Sequence, residues 1–448
     1  MKRISWRVFL ILSVAALPAR AETLNEVLSH TYENSLAINA ERANLKAIGE
    51  GVEKARAGYH PNVYVQGSIG RAHNKMTFDN AAIGSFTQTY DQTPRTASVN
   101  LVQPVFSGGT TYNAVGAAQK QVQSGRSGLK NTEQAVLLDA AAVYMDVIRD
   151  KAVLDLQVNN EKVLKKHLES YKKRFQAGDL TRTDVAQSEA RVSGATAARI
   201  AAAGRLEIAK ATFYSVVGLE PVRLKDVTEI SLNIPKTLDA CVAEALQGNP
   251  KVRAAEYMRD AMASVARAKK GIISPRVDVQ ASAGMQDRNT QIKELNYWQV
   301  TANLNVPLYQ AGTEYAEVRE AKSLENKHRI LAEKTKQDVR AETIAAWEEY
   351  QAVRAQIKSL KAQIKASKTA LDGVIREADV GARTVLDVLD AEQEYLNSQV
   401  AFVKAHRDEI VSAYALMSAL GRLMPDQIGL DAANYNPEDY DGFLWSTE

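Results

Sequence analysis

The chain has 448 residues, one cysteine and a formal net charge of +3 at neutral pH. A single cysteine excludes an intrachain disulfide, and so small a charge gives no electrostatic argument for nucleic-acid binding. Aromatic residues make up 6% of the chain, and alanine, glutamine, glutamate, lysine and leucine are abundant, a composition typical of long helices.

Residues 1–21 have the three parts of a secretory signal peptide. Lys2 to Arg7 is the basic start, Val8 to Ala16 the apolar run, and Ala19 to Ala21 a small-x-small cleavage site. The apolar run is too short for a membrane-spanning helix, although a short membrane anchor is the alternative. Removing this segment deletes four positive charges and no acids, so the net charge of +3 becomes −1. Beyond it, no apolar run is long enough to predict a transmembrane helix.

The rest of the sequence contains one module twice. Gly178 aligns with Gly381 and Asp184 with Asp387, both at an offset of 203 residues. Upstream the offset is 214, so the first copy carries eleven more residues somewhere between 66 and 98. The repeat is far too long for a solenoid unit. The predicted domains are the signal peptide 1–21, repeat one 22–218, a linker 219–237, repeat two 238–421 and an acidic C-terminal tail 422–448.

Each copy is predicted to contain a short helix, two strands, a long helix and another short helix. Apolar spacing and helix breakers place the helices at 24–57, 110–176 and 182–217, and again at 238–271, 313–379 and 385–420. Each long helix would span about 100 Å, as would two short helices placed end to end. Matched lengths favour an antiparallel coiled coil, and ordinary globular helices broken by loops are the alternative. The predicted seam of the first long helix is Leu137, Ala140, Tyr144, Val147, Lys151, Leu154 and Val158.

The predicted strands have one apolar and one polar, uncharged face. Val63 and Val65 alternate with Tyr64 and Gln66, and apolar residues alternate with polar ones from Trp298 to Val306. This pattern fits a membrane β-barrel with a wet interior and, equally, a water-exposed sheet over a helical core. The turns between paired strands, 73–93 and 285–296, are polar. They are expected to point into solvent, away from the helices.

Four strands cannot close a barrel, and an open sheet edge in lipid leaves backbone groups without hydrogen bonds. A barrel would therefore have to be shared between chains. Two chains give eight strands, whose interior is filled by side chains, whereas three give twelve, which leaves room for water. The polar inward side chains favour three chains or more.

At residues 22–423 the sequence resembles the TolC family of outer-membrane efflux and type I secretion channels. The most specific segment is Val380–Glu392, and the strand endings Gln103–Gly109 and Val306–Gly312 also match. The resemblance implies an α+β membrane protein built from a duplicated module. Each copy would give two strands to a shared twelve-stranded transmembrane barrel, and long antiparallel coiled-coil helices to a periplasmic α-barrel. Pro104 and Pro307 would mark the strand-to-helix transitions, which suits the fixed φ of proline.

The resemblance also implies function, location and partners. The chain would form a homotrimeric channel-tunnel in the outer membrane of a Gram-negative bacterium, extending into the periplasm and exporting drugs, toxic compounds or secreted proteins. Expected partners are further copies of itself, a periplasmic adaptor (membrane fusion protein), an inner-membrane RND, MFS or ABC transporter, and outer-membrane lipid, but no nucleic acid. The sequence identifies neither the substrate nor the transporter.

Two other kinds of protein also have long helices. A periplasmic coiled-coil adaptor of an export complex is the alternative function, but it would need one hairpin and β-rich modules. A purely structural coiled coil is disfavoured by the proline-ended strand pairs. No enzyme is expected, because the six histidines are scattered and no nucleophile-elbow, zinc-protease or P-loop motif is present. No cofactor and no metal are expected.

The glycine turns Gly178 and Gly381 are predicted to lie at the tips of two helical hairpins. In the resembled family, these tips form a periplasmic entrance that is closed at rest. Asp387 and Asp390 share a helix face, and three chains would bring their carboxylates together as a ring that selects cations. A merely solvated helix face is the alternative.

Arg383 is the other predicted gate residue. By resemblance it ties neighbouring hairpins shut, with Thr183 and Asp184 among its possible partners. Family members often carry a tyrosine three residues before the second glycine, but this chain has Ala378 there and Phe175 in the first copy. A tyrosine-to-aspartate hydrogen bond is thus impossible, which makes the Arg383 links more important or the latch weaker.

The tail after Leu423 has six acidic residues and no lysine or arginine. It is either a partly disordered terminus or a segment that wraps the helical tube together with residues 219–237. The sequence does not decide between these roles.

Overall fold

The computed structural model of the chain describes residues 22–80, 84–227, 232–287 and 294–430. The predicted signal peptide, 1–21, and most of the acidic tail, 431–448, lie outside the described residues. Within the described ranges, none of the helices combines the length and the apolar character needed to cross a membrane.

Eight helices follow the predicted duplicated order in the described part of the chain. The first copy has α1 (Leu24–Asn34), α2 (Leu36–Arg56), α3 (Thr110–Gln176) and α4 (Arg182–Val217). The second has α5 (Leu238–Gly248), α6 (Pro250–Lys270), α7 (Thr313–Asp379) and α8 (Val385–Ala419). The long helices α3 and α7 have 67 residues each, as predicted, and so extend for about 100 Å.

The prediction of one unbroken short helix at 24–57 and at 238–271 is wrong. Ser35 and Asn249 take extended backbone conformations and interrupt these helices at equivalent positions. Pro250 explains the second break, because proline disfavours helical geometry in the residue before it. The Asn249 side chain also donates to Ala419 O at 2.8 Å. The first break has the same geometry although Leu36 stands where the second copy has proline.

The predicted coiled-coil seam is correct only in its first half. Leu137, Ala140, Tyr144 and Val147 are buried, whereas Lys151 and Val158 are exposed. Asp150 and Glu161 are buried instead, each within 2.8 Å of an arginine, Arg149 and Arg199 respectively. Counting apolar residues cannot locate such a stripe, because an ion pair allows a carboxylate to occupy a core position.

Six strands are described: β1 (Asn62–Ile69), β2 (Ala72–Asn80), β3 (Gly84–Gln92), β4 (Arg95–Phe106), β5 (Arg276–Asp287) and β6 (Glu294–Asn305). Four of them form an antiparallel sheet in the order β1-β4-β5-β6. The register places apolar residues opposite apolar ones, and polar residues opposite polar ones, across all four strands. One row is Val65, Val99, Ala283 and Trp298, and the adjacent row is Tyr64, Asn100, Ser282 and Gln299. The predicted apolar and polar faces are therefore properties of the whole sheet.

The polar turn predicted at residues 73–93 is wrong, because most of it is a β-hairpin. β2 and β3 pair with each other in a separate two-stranded sheet. In the second copy, β5 continues to Asp287 and β6 begins at Glu294, so both strands enter the predicted turn at 285–296. The extra residues of the first copy therefore form additional paired strands. Pairing gives their backbone N–H and C=O groups hydrogen-bond partners within the protein, whereas those of an unpaired loop would depend on water.

Contacts divide the described chain into two compact units, and each contains segments of both copies. One unit takes the described residues of Met1–Ala40, Lys130–Asn249 and Asp338–Tyr435, which include the predicted hairpin tips. The other takes the described residues of Glu41–Leu129 and Pro250–Gln337, which include all six strands.

Backbones approach closely where the sheet meets the helices. A Cβ atom on Gly271 would lie 2.6 Å from Gly108 O and 2.5 Å from the Thr110 hydroxyl. A Cβ on Gly108, whose φ is +63°, would lie 2.5 Å from Gly271 O. These two glycines thus allow the start of α3 and the end of α6 to touch through backbone atoms.

Gly271→Ala is expected to lower the stability of the protein by about 1–3 kcal/mol, the usual cost of overpacking. Thermal unfolding in detergent, followed by circular dichroism, measures the change. Gly51→Ala is the matched control, because it lies in α2 of the same unit with open space at its Cβ position. It should be neutral or stabilising by up to about 1 kcal/mol. Equal unfolding temperatures for the two variants would contradict the close approach.

Candidate functional site

The hairpin tips are two glycine turns with the same hydrogen bonds. Gly178 and Gly381 have φ values of +87° and +78°, in the left-handed region that glycine adopts without strain. The residue after each glycine donates its backbone N–H to the carbonyl of the residue five positions before it. Asp179 N donates to Arg174 O at 2.9 Å, and Ala382 N donates to Glu377 O at 2.8 Å. This closes the C-terminal end of each long helix in a Schellman-type motif.

The helix that follows each glycine turn, α4 in the first copy and α8 in the second, begins with a capping box. Asp184 accepts hydrogen bonds from the backbone N–H of Thr181 at 2.9 Å and from its hydroxyl at 2.7 Å. Asp387 accepts the same pair from Thr384, also at 2.9 and 2.7 Å. These bonds satisfy otherwise unpaired donors, and they place a carboxylate at the positive end of the helix dipole. The Thr384 hydroxyl, which donates to Asp387, lowers the pKa of that carboxyl.

Thr181 and Thr384 were not among the predicted site residues, although the T-x-x-D spacing at 181–184 and 384–387 is a recognisable sequence signal. The predicted Thr183 is exposed and lies in the first turn of α4. The predicted gate aspartates Asp184 and Asp387 are therefore capping residues of their own helices.

Arg383 contacts its own turn. Its Nε donates to Glu377 Oε2 at 2.9 Å, and this carboxylate raises the pKa of the guanidinium. Both side chains are about half exposed. Within one chain, then, Arg383 is bound to Glu377 while Asp184 is bound to Thr181, and the predicted link between Arg383 and Asp184 is not formed.

Near the tip, Arg191 of α4 and Asp390 of α8 form a charged contact between the two copies, and further along Arg407 of α8 pairs with Asp146 of α3 at 2.8 Å. Arg191 Nη2 lies 2.5 Å from Asp390 Oδ1. His167 of α3 and Glu392 of α8 approach to 3.5 Å beside it. Asp390 was a predicted site residue, but Arg191 was not. Its partner lies 199 positions away in sequence, and no local pattern signals so distant a contact.

An apolar layer lies behind these charges and joins three helices. Leu164 and Tyr171 of α3, Ala195 of α4, and Val385 and Leu389 of α8 form one buried cluster. The second copy therefore packs its last helix against both helices of the first copy. Burying a Val or Leu side chain contributes about 1.5–3 kcal/mol, more than an exposed ion pair does.

Glu161 holds α3 and α4 together further from the tip. Its carboxylate lies 2.8 Å from Lys165 Nζ, 2.8 Å from the Thr196 hydroxyl and 2.6 Å from Arg199 Nε. Hydrogen bonds from Lys165, Thr196 and Arg199 outweigh desolvation and lower the pKa of Glu161 to about 2. The Glu161 side chain is 8% exposed, so water competes little with these partners.

A groove of about 590 Å³ runs beside the Arg191–Asp390 contact, between α3, α4 and α8. Its lining includes small residues of α4 and uncharged amide side chains. The lining residues are Gln157, Asn160, Gln187, Ala190, Arg191, Gly194, Ala195, Ala198, Leu386, Gln393 and Leu396.

The two predicted transition prolines occupy different places. Pro104 lies inside β4, where the register with β5 shifts between Pro104 and Phe106. Pro307 follows the end of β6 at Asn305, and α7 begins at Thr313. In the described ranges, no group of three or more His, Cys, Asp or Glu side chains is arranged to hold a metal ion.

Comparison with known proteins places this geometry in one family. The family model described as "Outer membrane efflux protein" matches residues 27–219 and 241–422. Outer membrane efflux protein BepC of Brucella suis is 34% identical over 424 residues, covering 94% of this chain and 90% of BepC. Outer membrane protein TolC of Vibrio cholerae is 25% identical, covering 91% of this chain and 92% of the relative. The crystal structure of the Campylobacter jejuni CmeC outer membrane channel has a TM-score of 0.79 at 14% identity, covering 98% of this chain and 96% of CmeC.

Glu161→Gln is expected to lower the unfolding temperature at neutral pH. The folded-state pKa of about 2 lies below the ordinary value of 4.5, so the contribution of Glu161 is complete above pH 4.5 and is lost as the pH falls towards 2. The difference in unfolding temperature between wild type and Glu161→Gln should therefore narrow over that range. Glu207→Gln, which removes an exposed partner of Lys210, should change little at any pH. A difference that stayed constant down to about pH 3 would exclude this role of the carboxylate.

Proposed function

The chain belongs to the outer membrane efflux protein family, and we propose that three copies form a continuous export tunnel that is gated at its hairpin tips. It is an outer-membrane protein whose relatives are efflux and secretion channels. The observation that carries the trimeric tunnel is an open four-stranded sheet with one apolar face. The tunnel would carry substrate from an inner-membrane transporter across the periplasm and the outer membrane.

The sheet supports assembly through its edges and its apolar face. In the described residues, β1 and β6 each pair on one side only. On the apolar face, Val65 is 76% exposed and Trp298 79% exposed, which is costly in water but favourable in lipid. Unpaired edges are not tolerated in lipid, so β1 of one chain pairs with β6 of the next. The antiparallel order permits this, since β1 and β6 run in opposite directions.

Three chains give twelve strands and a lumen lined by the polar row that contains Tyr64, Asn100 and Gln299. Eight strands would leave an interior filled by these side chains. Three copies therefore reconcile the polar face with a conducting pore, and each chain lends two helical hairpins to the periplasmic part.

The resting gate is the contact between copies at the tip. Arg191 and Asp390 are 37% and 59% exposed, so their ion pair contributes only about 0.2–1 kcal/mol. Such a pair cannot hold the hairpins alone, but it fixes their alignment while Val385 and Leu389 supply the larger apolar term. Opening then moves the second hairpin away from the first. Asp387 and the freed Asp390 would present carboxylates to the entrance, which favours cations.

A periplasmic adaptor is the partner for the groove beside this contact. The small residues Ala190, Gly194 and Ala198 allow close approach of a helix, and the surrounding glutamines offer hydrogen bonds. Arg191 lines the groove and also holds Asp390. An acidic side chain on the docked helix would compete for Arg191, so docking and opening would be coupled through one guanidinium.

Paired cysteines test the shared barrel. In a Cys241→Ser background, Gln66→Cys on β1 is combined in turn with Gln299→Cys, Thr301→Cys and Asn303→Cys on β6. One of these combinations should form disulfide-linked dimers and trimers, because neighbouring strands lie within disulfide reach.

The control replaces Gln66→Cys with Ser98→Cys on β4, one strand further from the edge. It should give no intermolecular disulfide, because two strand spacings amount to about 10 Å. A protein that stays monomeric in all three combinations would refute the shared barrel.

Charge reversal tests the gate. Arg191→Asp and Asp390→Arg should each raise single-channel conductance in planar bilayers, because each places like charges together. The double variant should restore the closed state. Loss of the pair shifts the closed-to-open ratio by up to about five-fold per chain.

The control is Lys172→Asp, which breaks an ion pair of similar exposure with Glu189 inside the first copy. Its conductance should stay at the wild-type level. If the double variant conducts as much as the single ones, the pair is not the latch.

A further inference from the structure

The β2–β3 hairpin continues the β1–β4 ladder without a change of register. Ile69 pairs with Arg95, Gly70 N donates to Pro94 O at 3.0 Å, and Ala72 pairs with Gln92. The same step continues to the last pair, Asn80 with Gly84. The two strands are therefore one long ribbon, and residues of equal parity share one face along its whole length.

The even-numbered face of the ribbon is polar within the four-stranded sheet and becomes apolar in the β2–β3 hairpin. In β1 the even-numbered positions are polar, as in Tyr64, Gln66 and Ser68, whereas the odd-numbered Val63 and Val65 are apolar. In the hairpin, the even-numbered face carries Met76, Phe78, Phe86 and Tyr90. The odd-numbered face carries His73, Lys75, Thr77 and Asp79, paired with Asp91, Thr89, Thr87 and Ser85.

The apolar face is organised and exposed. Phe78 and Phe86 stack with their ring centroids 5.2 Å apart, and the Tyr90 hydroxyl donates to Met76 Sδ at 3.2 Å. Phe78 and Phe86 remain 43% and 46% exposed in the single chain. The opposite face has polar contacts between its strands, His73 to Asp91 at 2.8 Å and Thr77 to Thr87 at 3.0 Å.

We propose that the Met76–Phe78–Phe86 faces of three chains meet over the outer mouth of the tunnel and form an apolar constriction there. This rests on the proposed trimer, in which the polar face of the sheet lines the lumen. Because the ribbon keeps its register, its apolar face continues that lumen-side face and not the lipid-facing one. The occupant of the exposed patch is thus the same hairpin in the other two copies.

The dimensions permit this contact. Twelve strands about 4.8 Å apart and tilted by about 40° close a cylinder with a radius of about 12 Å. β2 has nine residues and therefore extends about 30 Å beyond the sheet. The strands are interrupted between Ile69 and Ala72 and between Gln92 and Arg95, so the ribbon can bend there. A bend toward the axis would let a hairpin of that length span the radius. A narrow apolar ring disfavours water and so restricts ion flow without any charged group.

The test uses single cysteines in the full-length chain carrying Cys241→Ser. Phe78→Cys places a thiol on the apolar face, and Thr77→Cys places one on the polar face at the neighbouring position. A membrane-impermeant tris-maleimide added to intact cells should convert Phe78→Cys, and equally Phe86→Cys, into covalent trimers. Thr77→Cys should remain uncrosslinked.

Two results would overturn the constriction: equal crosslinking of Phe78→Cys and Thr77→Cys, or crosslinking of neither Phe variant while the β1–β6 disulfides still form. Failure of those edge disulfides would instead count against the shared barrel. As a second measurement, Phe78→Ser with Phe86→Ser is added to Arg191→Asp, so that the tip gate is open. Conductance should rise by at least about two-fold over Arg191→Asp alone, because a wetted ring no longer restricts ions. Thr77→Ser with Thr87→Ser should leave conductance unchanged.

Discussion

The structure depends on one constraint: the four-stranded sheet of a single chain has hydrogen-bonding edges and an apolar face that the chain itself cannot cover. Trp298 and Val65 lie on that face, and β1 and β6 pair on one side only within the described residues. A water-soluble domain would cover such a face with its own helices. Here Val65 and Trp298 stay more than three-quarters exposed, and in the proposed trimer lipid and neighbouring copies supply the missing contacts.

Duplication explains why many local devices occur twice. The glycine turn, the capping box and the break in the short helix recur at equivalent positions with nearly equal distances. The copies differ at the two positions that form the ion pair between them. The first-copy counterpart of Asp390 is Gln187, and the second-copy counterpart of Arg191 is Glu394. The Arg191–Asp390 pair therefore has no duplicate at the matching positions of the other helices.

The sequence predicts the fold well where a physical rule is local. Helical periodicity and glycine breakers place α3, α4 and α7 at their observed bounds, and strand alternation gives the correct sheet faces. It fails where long-range contacts replace a local rule. Asp150 and Glu161 are buried because arginines pair with them. The alternation of β1 does not predict the β2–β3 hairpin, because the apolar residues of the hairpin lie at the opposite parity. At the tip, local spacing could have identified Thr181 and Thr384, whereas Arg191 required the packing of α4 against α8.

The distribution of bonds at the tip indicates which part can move. Each turn provides hydrogen bonds for its own backbone groups. The glycine motif caps the C-terminal end of one helix, and the capping box caps the N-terminal end of the next. These bonds lie within a hairpin and are retained when the hairpin shifts as a rigid body. The contacts between copies at the tip are of another kind, and they include the exposed Arg191–Asp390 ion pair and a small apolar cluster that contains Val385 and Leu389. Both can be replaced by solvent or by an incoming helix at a cost of a few kcal/mol. A ligand that binds one arrangement about 10³- to 10⁴-fold better than the other can supply such a free energy. The hinge of an opening movement is therefore expected between the copies, with each glycine turn moving as an intact unit.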